Sequence, residues 1–213
     1  RMNRKTPIGI IGCGNISSVY LRAPQLFDNL QVIACADIDM ERAHSQAEQY
    51  NVPRACTVEE LLADPEIQIV INLTVPNAHA EVALQAIAAD KAVYGEKPLA
   101  TLRADGKAIL EAAHAQQVRV GNAPDTFLGG GFQTCIQLIN EGQIGTPIAA
   151  TAFKLNHGME YWHPDPYFFY QPGAGPMFDV EPYYLTALIA MMGPVRRVTA
   201  SMQMTFTERT VTS

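Results

Sequence analysis

The sequence has little cysteine and none of the spacings that mark a metal site. Its 213 residues include four cysteines and one tryptophan. The cysteines form no C-x-x-C pair and no cluster with histidine, so structural zinc is not indicated, and a disulfide framework is not expected at this density. We therefore expect no metal site, and we expect Cys13, Cys35, Cys56 and Cys135 to be small buried apolar residues.

Long apolar runs and long basic runs are also missing. No uninterrupted apolar stretch reaches the length of a membrane span, and the run near the N-terminus is too short for a signal peptide. The formal net charge is −6, with no long run of Lys or Arg. This balance argues against a nucleic-acid surface or a polybasic membrane patch. We expect a cytoplasmic protein without a nucleic-acid or membrane partner.

A glycine-rich turn follows the first apolar segment. Residues 7–11 read as a short buried strand rich in β-branched residues. The next six residues, GCGNIS, match G-x-G-x-x-S, with Ser17 where a third Gly or Ala usually stands. Gly12 permits the tight turn, and Gly14 lets a pyrophosphate approach the backbone. Unpaired N–H groups of Asn15, Ile16 and their neighbours at the next helix start would then face the phosphates.

A second apolar segment, residues 31–36, ends at Asp37, about 20 residues beyond the turn. An acid at this place accepts hydrogen bonds from the adenosine ribose hydroxyls and repels a 2′-phosphate, which favours NAD over NADP. Asp37 or Asp39 can instead cap the helix predicted over residues 40–50. Asp39 suits that cap, which leaves Asp37 for the ribose.

Strand-like and helix-like segments alternate over the first 120 residues or so. Further strands are predicted over residues 67–73, 91–95 and 118–120, and helices over residues 16–27, 58–63, 78–89 and 101–117. Pro24 should bend or end the first of these helices. This alternation predicts an α/β fold with a doubly wound parallel sheet of the Rossmann type. Loops that follow parallel strands meet at one edge of the sheet, where ligands bind.

Beyond residue 121 the pattern changes. Helices are predicted over residues 132–141 and 178–192, and alternating strands over residues 147–155 and 195–207. We therefore predict a dinucleotide-binding domain over residues 1–121 and an α+β domain over residues 122–213, whose sheet should be mostly antiparallel.

Several motifs together resemble a known family, the Gfo/Idh/MocA oxidoreductases of the glucose–fructose oxidoreductase and inositol dehydrogenase type. The motifs are, in order, the glycine turn, Asp37, Thr74-Val75-Pro76-Asn77-Ala78-His79, Glu96-Lys97-Pro98 and the segment GAGPMFDVEPYYLTAL. Glu96-Lys97-Pro98 after a strand is the most specific of them. The resemblance implies an NAD-dependent dehydrogenase or reductase acting on CH–OH groups of a sugar, inositol or related polyol. It also implies that residues 122–213 form a substrate and oligomerisation domain with an open sheet, incomplete at its C-terminus. A homodimer or homotetramer is then expected to form through that sheet.

Lys97 is the first candidate for the chemistry. Oxidising an alcohol with a nicotinamide needs a side chain that handles the hydroxyl proton, and a partly desolvated lysine can do so. The resemblance implies that Lys97 contacts the reacting hydroxyl or carbonyl, and a surface lysine paired with Glu96 is the alternative. Asp179 matches the family's Asp, and Tyr183 stands where many members carry a catalytic His. Their i, i+4 spacing would place both on one face of a single helix, and core packing is the alternative for Tyr183.

Three sets of residues form the predicted sites. The residues expected to take part in catalysis are Lys97, Asp179 and Tyr183. The residues expected to bind the dinucleotide are Gly12, Gly14, Asn15, Ile16, Asp37, Thr74, Pro76, Asn77, His79, Glu96 and Lys97. The residues expected to bind the substrate are Lys97, His157, Trp162, Asp179 and Tyr183. His157 and Trp162 belong to a loop rich in aromatic residues, whose faces can stack on sugars. For His79, a helix N-terminal position without chemistry is equally compatible with the sequence.

Two other functions remain open at this point. One is a dinucleotide-binding regulator or pseudoenzyme without turnover, which the Tyr at position 183 favours. The other is an NAD-using glycoside hydrolase or lyase with transient oxidation, an activity known among relatives of this fold. Turnover of a simple polyol with NAD distinguishes the proposed dehydrogenase from both.

Overall fold

The computed structural model describes residues 5–161 and 166–211. The chain divides into two compact units, with the division after Ala123. The sequence-predicted substrate residue Trp162, and His163 beside it, lie outside the described residues.

A six-stranded sheet forms the centre of the first unit. Its strands are β1 (Thr6–Ile11), β2 (Leu30–Ala36), β3 (Ala55–Cys56), β4 (Ile69–Asn72), β5 (Ala92–Gly95) and β6 (Val120–Asn122). They run in the order β3-β2-β1-β4-β5-β6, and every neighbouring pair is parallel. This confirms the predicted doubly wound sheet. The edge strand β3 has two residues, too few to show a sequence pattern.

Helices cover both faces of this sheet. They are α1 (Ser17–Leu21), α2 (Ala23–Leu26), α3 (Met40–Tyr50), α4 (Val58–Ala63), α5 (His79–Ala88) and α6 (Arg103–Gln116). Asp39 caps α3 as predicted, and Thr57 caps α4 in a capping box with Glu60. The helix expected over residues 16–27, with Pro24 bending or ending it, is split into α1 and α2. Pro24 falls in the first turn of α2, where a residue without an N–H is tolerated.

Two apolar clusters hold the sheet between its helices. On β1, Ile8 and Ile10 enter one cluster and Ile11 the other, because successive strand side chains point to opposite faces. One cluster packs against α1 and α3 and the other against α4, α5 and α6. Cys13, Cys35 and Cys56 are buried in them as expected, whereas Cys135 is exposed. Burial raises the pKa of the Cys56 thiol, which agrees with a packing role.

The described residues of the second unit contain helices and no strand. Short 3-10 turns span Thr126–Leu128 and Tyr167–Tyr170, and the helices are α7 (Gly130–Asn140), α8 (Pro176–Asp179) and α9 (Glu181–Met192). The predicted antiparallel sheet over residues 147–155 and 195–207 is therefore wrong for this part of the chain. An alternating pattern forms a strand only where another strand supplies hydrogen-bond partners, and here Ile148 and Met202 are each 93% exposed.

The helix predicted over residues 178–192 is also interrupted. Asp179 ends α8, Val180 lies between the helices with φ of −118°, and Tyr183 belongs to α9. Pro182 explains the break, because it has no N–H to continue the hydrogen bonds of a helix. The expectation that one continuous helix carries Asp179 and Tyr183 is therefore wrong. No helix in the described residues is both long and apolar enough to cross a membrane.

Candidate functional site

Four neighbouring strands of the first unit end at the same level. Ile11, at the end of β1, pairs with Ala36 on one side and Asn72 on the other, and Asn72 pairs with Gly95. The segments that follow these residues are the glycine turn, Asp37, the loop from Thr74 and Glu96-Lys97-Pro98. The sheet therefore brings together the four predicted loops of the first unit at one edge.

The two glycines of the turn have different surroundings. Gly12 has a φ of +100°, and a Cβ there would lie 2.6 Å from the backbone carbon and oxygen of Leu73. Only glycine fits that position without moving the chain. A Cβ on Gly14 would meet nothing within 4 Å. The space over Gly14 is therefore open to a ligand that approaches the backbone, as a pyrophosphate requires.

Ser17 stabilises the glycine turn by hydrogen bonds within it. It is fully buried, and both its hydroxyl (2.7 Å) and its N–H (3.1 Å) donate to the carbonyl of Gly14. Across the part of the chain that is described, the N–H groups of Gly14, Asn15 and Ile16 have no protein acceptor. They are the groups of this turn that can bind phosphate oxygens. The turn thus fits the dinucleotide that its sequence predicts.

Asp37 is buried and tied to the turn. Its Oδ2 accepts the N–H of Cys13 at 2.7 Å, and its Oδ1 accepts the N–H of Asp39 at 3.0 Å. Each carboxylate oxygen keeps a further lone pair for a ribose hydroxyl. The half-exposed guanidinium of Arg42 lies 3.7 Å from Asp37 Oδ1 and 3.5 Å from Asp39 Oδ2. The Asp37 carboxylate suits the ribose hydroxyls of NAD, and an arginine in this place can pair with the 2′-phosphate of NADP.

Asn72 was not identified from the sequence, although its amide organises the loop after β4. The side chain is almost fully buried. Its Nδ2 donates to the carbonyl of His79 at 3.0 Å, and its Oδ1 accepts the hydroxyl (2.7 Å) and the N–H (3.3 Å) of Thr74. The one feature of the sequence that could have identified Asn72 is its position, as a polar residue at the end of an otherwise apolar strand.

His79 joins two of the loops. The ring is 2% exposed, with Nδ1 2.6 Å from the carbonyl oxygen of Pro98 and Nε2 2.9 Å from that of Thr74. Both ring nitrogens face oxygens of the protein itself. The ring therefore connects these two loops, and the direct dinucleotide contact expected of His79 stays a prediction.

The Glu96-Lys97-Pro98 segment is held from several directions. Glu96 Oε1 accepts the phenol of Tyr20 at 2.7 Å, and Oε2 accepts the N–H of Lys97 at 3.2 Å. The Glu96 N–H donates to the Asn72 carbonyl at 2.9 Å, and the Asn122 side chain donates to the Glu96 carbonyl at 2.9 Å. The Lys97–Pro98 peptide bond is cis. These contacts give Lys97 a fixed backbone at the strand-end edge.

The second unit has a cavity of its own near Asp179. It has a volume of about 320 Å³ and is lined by Asp179, Lys154, Asn156, Tyr170 and Arg209, among others. His157 is exposed, and its carbonyl accepts a hydrogen bond from Arg209. Tyr183 does not line this cavity. The structure therefore places one of the predicted substrate residues of this unit at a cavity.

Comparison with known families identifies both halves of the chain. Residues 6–123 match the profile described as the Gfo/Idh/MocA oxidoreductase family with an NAD-binding Rossmann fold. Residues 132–212 match the profile described as the Gfo/Idh/MocA C-terminal domain.

Individual relatives give the same result. The inositol 2-dehydrogenase of Salmonella typhimurium is 30% identical over 162 residues, covering 72% of this chain and 45% of the relative. The 1,5-anhydro-D-fructose reductase of Ensifer adhaerens is 31% identical over 146 residues, covering 68% of this chain and 44% of that protein. The solved myo-inositol dehydrogenase of Lactobacillus casei, in complex with NAD(H) and myo-inositol, shares the fold with a TM-score of 0.64 and 24% identity, over 68% of this chain and 44% of that one. The chain thus spans less than half the length of these relatives.

Proposed function

Because the chain belongs to the Gfo/Idh/MocA oxidoreductase family, we propose that it is an NAD(P)-dependent dehydrogenase or reductase. Its proposed substrate is a hydroxyl or carbonyl compound of the sugar, inositol or related polyol class. The observation that carries the proposal is the common strand-end edge, where the glycine turn, Asp37 and Lys97 follow neighbouring strands in register. The names of the two curated relatives, an inositol dehydrogenase and an anhydrofructose reductase, support the substrate class.

The dinucleotide is bound by the turn and by Asp37 in this proposal. The open space over Gly14 admits the pyrophosphate, and the N–H groups of Gly14, Asn15 and Ile16 donate to its oxygens. Asp37 accepts from the ribose, and Arg42 beside it pairs with a 2′-phosphate when one is present. Thr74, Pro76 and Asn77 bound the nicotinamide side. We propose NAD as the preferred cofactor, with NADP as the second.

Lys97 carries the proton in the proposed reaction. A bound nicotinamide supplies hydride exchange with the substrate carbon. The hydroxyl proton needs a separate carrier, and the Nζ of Lys97 accepts it during oxidation and returns it during reduction. The contacts of Glu96 hold the Lys97 backbone in place, so that only the Lys97 side chain has to change conformation to reach the substrate oxygen. Asp179 and Tyr183 stay predicted catalytic and substrate-contacting residues, and a homodimer or homotetramer stays the proposed assembly.

A substrate screen tests the proposal. The protein is assayed with a panel of sugars and polyols that includes myo-inositol, with NAD and with NADP, by the absorbance of the reduced nicotinamide. Turnover of at least one polyol, faster with NAD than with NADP, is the expected result. Tight binding of NADH without turnover of any member would contradict the enzyme and favour a regulator. Cleavage of a glycosidic bond without net formation of NADH would indicate the hydrolase or lyase.

A further inference from the structure

The phenol of Tyr20 links the helix after the glycine turn to the segment that carries Lys97. Tyr20 lies on α1, 76 residues before Glu96 in the sequence, and its hydroxyl donates to Glu96 Oε1 at 2.7 Å in a partly buried position. A phenol that donates to a carboxylate forms a charge-assisted bond, stronger than a bond between neutral groups. We propose that Tyr20 is a positioning residue for Lys97. This proposal rests on the proposed function, because it assigns Lys97 the proton.

The link acts through the carboxylate of Glu96. One oxygen accepts the Tyr20 hydroxyl, and the other accepts the backbone N–H of Lys97. The backbone of Glu96 is already fixed by the Asn72 carbonyl and the Asn122 amide. The remaining freedom is rotation of the Glu96 side chain, and Tyr20 removes it. Without the phenol, the carboxylate can turn away and release the N–H of Lys97.

The other end of the link reaches the glycine turn. Helix α1 begins at Ser17, whose hydroxyl and N–H both bond the Gly14 carbonyl. Tyr20 lies one turn later on the same helix, and its ring packs against the apolar cluster of β1 and β2. The turn predicted to bind pyrophosphate and the segment with Lys97 are thus joined through two side chains, those of Tyr20 and Glu96. Sequence motifs identify Gly14 and Lys97 separately and do not show this connection.

The test is Tyr20→Phe, which removes the hydroxyl and keeps the ring. Tyr50→Phe is the matched control, because Tyr50 is also half-buried and packs against the same cluster. Three quantities are measured on the full chain: the exchange rate of the Lys97 backbone N–H by NMR, the dissociation constant of NADH by fluorescence, and kcat and KM on the best polyol of the panel. The exchange and NADH measurements do not need turnover.

Tyr20→Phe should speed exchange of the Lys97 N–H by roughly tenfold and lower kcat by a similar factor, as expected for losing a hydrogen bond to a charged group. The NADH dissociation constant and the KM for NAD should stay at wild-type values, and the melting temperature should fall by only a few degrees, because a single hydrogen bond is lost. Tyr50→Phe should match wild type throughout. Unchanged Lys97 exchange would overturn the proposal. So would a joint loss of NADH affinity and melting temperature, because that pattern indicates a structural role alone.

The outcome also separates this inference from the proposed function. If Tyr20→Phe speeds exchange of the Lys97 N–H but the wild type turns over no polyol, Tyr20 positions the Lys97 segment and the protein is not the proposed dehydrogenase. Normal exchange and full kcat in Tyr20→Phe, with an active wild type, would reject the link and retain the dehydrogenase.

Discussion

The backbone N–H of Cys13 donates to Oδ2 of Asp37 at 2.7 Å, which ties the glycine turn to the carboxylate at the end of β2. Asp37 therefore shapes the turn, and in the proposed function it also presents a negative charge to the ribose. Arg42 lies 3.7 Å from the other oxygen of the same carboxylate. The balance between Asp37 and Arg42 should set the preference between NAD and NADP.

Asp37→Asn removes this negative charge and leaves Arg42 paired with Asp39 alone. We expect the dissociation constant of NADH to rise by about tenfold, since a hydrogen bond to a charged group is lost. The ratio of NADPH to NADH affinity should rise, because the 2′-phosphate is no longer repelled and Arg42 can pair with it. Fluorescence titration with both dinucleotides measures the ratio. Arg42→Ala added to Asp37→Asn should remove the gain, and an unchanged ratio would contradict the assignment of Asp37.

The two glycines of the turn should respond differently to alanine. Gly12→Ala places a Cβ 2.6 Å from the backbone of Leu73 at a φ of +100°. It should lower the free energy of unfolding by about 3 kcal/mol. Gly14→Ala meets nothing within 4 Å, so the stability should hold while NADH binding weakens. Urea unfolding and NADH titration of both variants measure the difference. A Gly14→Ala protein that binds NADH normally would show that the pyrophosphate does not approach this turn.

His79 should matter for both stability and turnover. His79→Leu leaves the carbonyls of Thr74 and Pro98 without their ring partners in a buried site. Unfolding free energy should fall by about 1–3 kcal/mol, and kcat should fall because the Lys97 segment loses a support. His114→Gln is the control, since His114 is exposed on α6. Wild-type stability in His79→Leu would show that the contacts of the ring with the Thr74 and Pro98 carbonyls do not contribute to the free energy of unfolding.

An acid-dependent contribution to stability should come from Asp64. The N–H of Glu66 and the guanidinium of Arg54 hold the pKa of this carboxyl below its ordinary value. A lowered pKa stabilises the fold above the unfolded-state value of about 4, and this contribution is lost as the pH falls through the folded-state value. Asp64→Asn should cost about 0.5–1 kcal/mol at pH 7 and progressively less below pH ~4. Asp28→Asn, at an exposed position, is the control in urea unfolding, and a pH-independent loss would contradict this account.

The sequence was most informative where a local pattern determines the structure. The apolar segments and glycine turn predicted the parallel sheet, and strand order then predicted which loops meet. Asp39 as the cap of α3 was also predictable, because capping acts within three residues. Tyr20, Asn72 and Asn122 were missed, because their roles depend on partners that only the folded chain brings close.

The second unit shows the opposite case. Alternating residues predicted strands at 147–155 and 195–207, but a strand also needs a hydrogen-bonded neighbour, which the pattern of one segment cannot supply. Pro182 could have predicted the break between α8 and α9. The i, i+4 spacing of Asp179 and Tyr183 predicted a continuous helix instead. The roles of these two residues therefore stay predictions.

The most direct test of the central claim is the initial rate of Lys97→Met beside wild type, on the best polyol of the panel at saturating NAD. Lys107→Met is the control, because Lys107 pairs with Glu111 on the exposed face of α6. If Lys97 carries the proton, its loss should lower the rate by about a hundredfold or more, far more than it weakens NADH binding, with Lys107→Met at the wild-type rate. Equal rates for Lys97→Met and wild type would contradict the account.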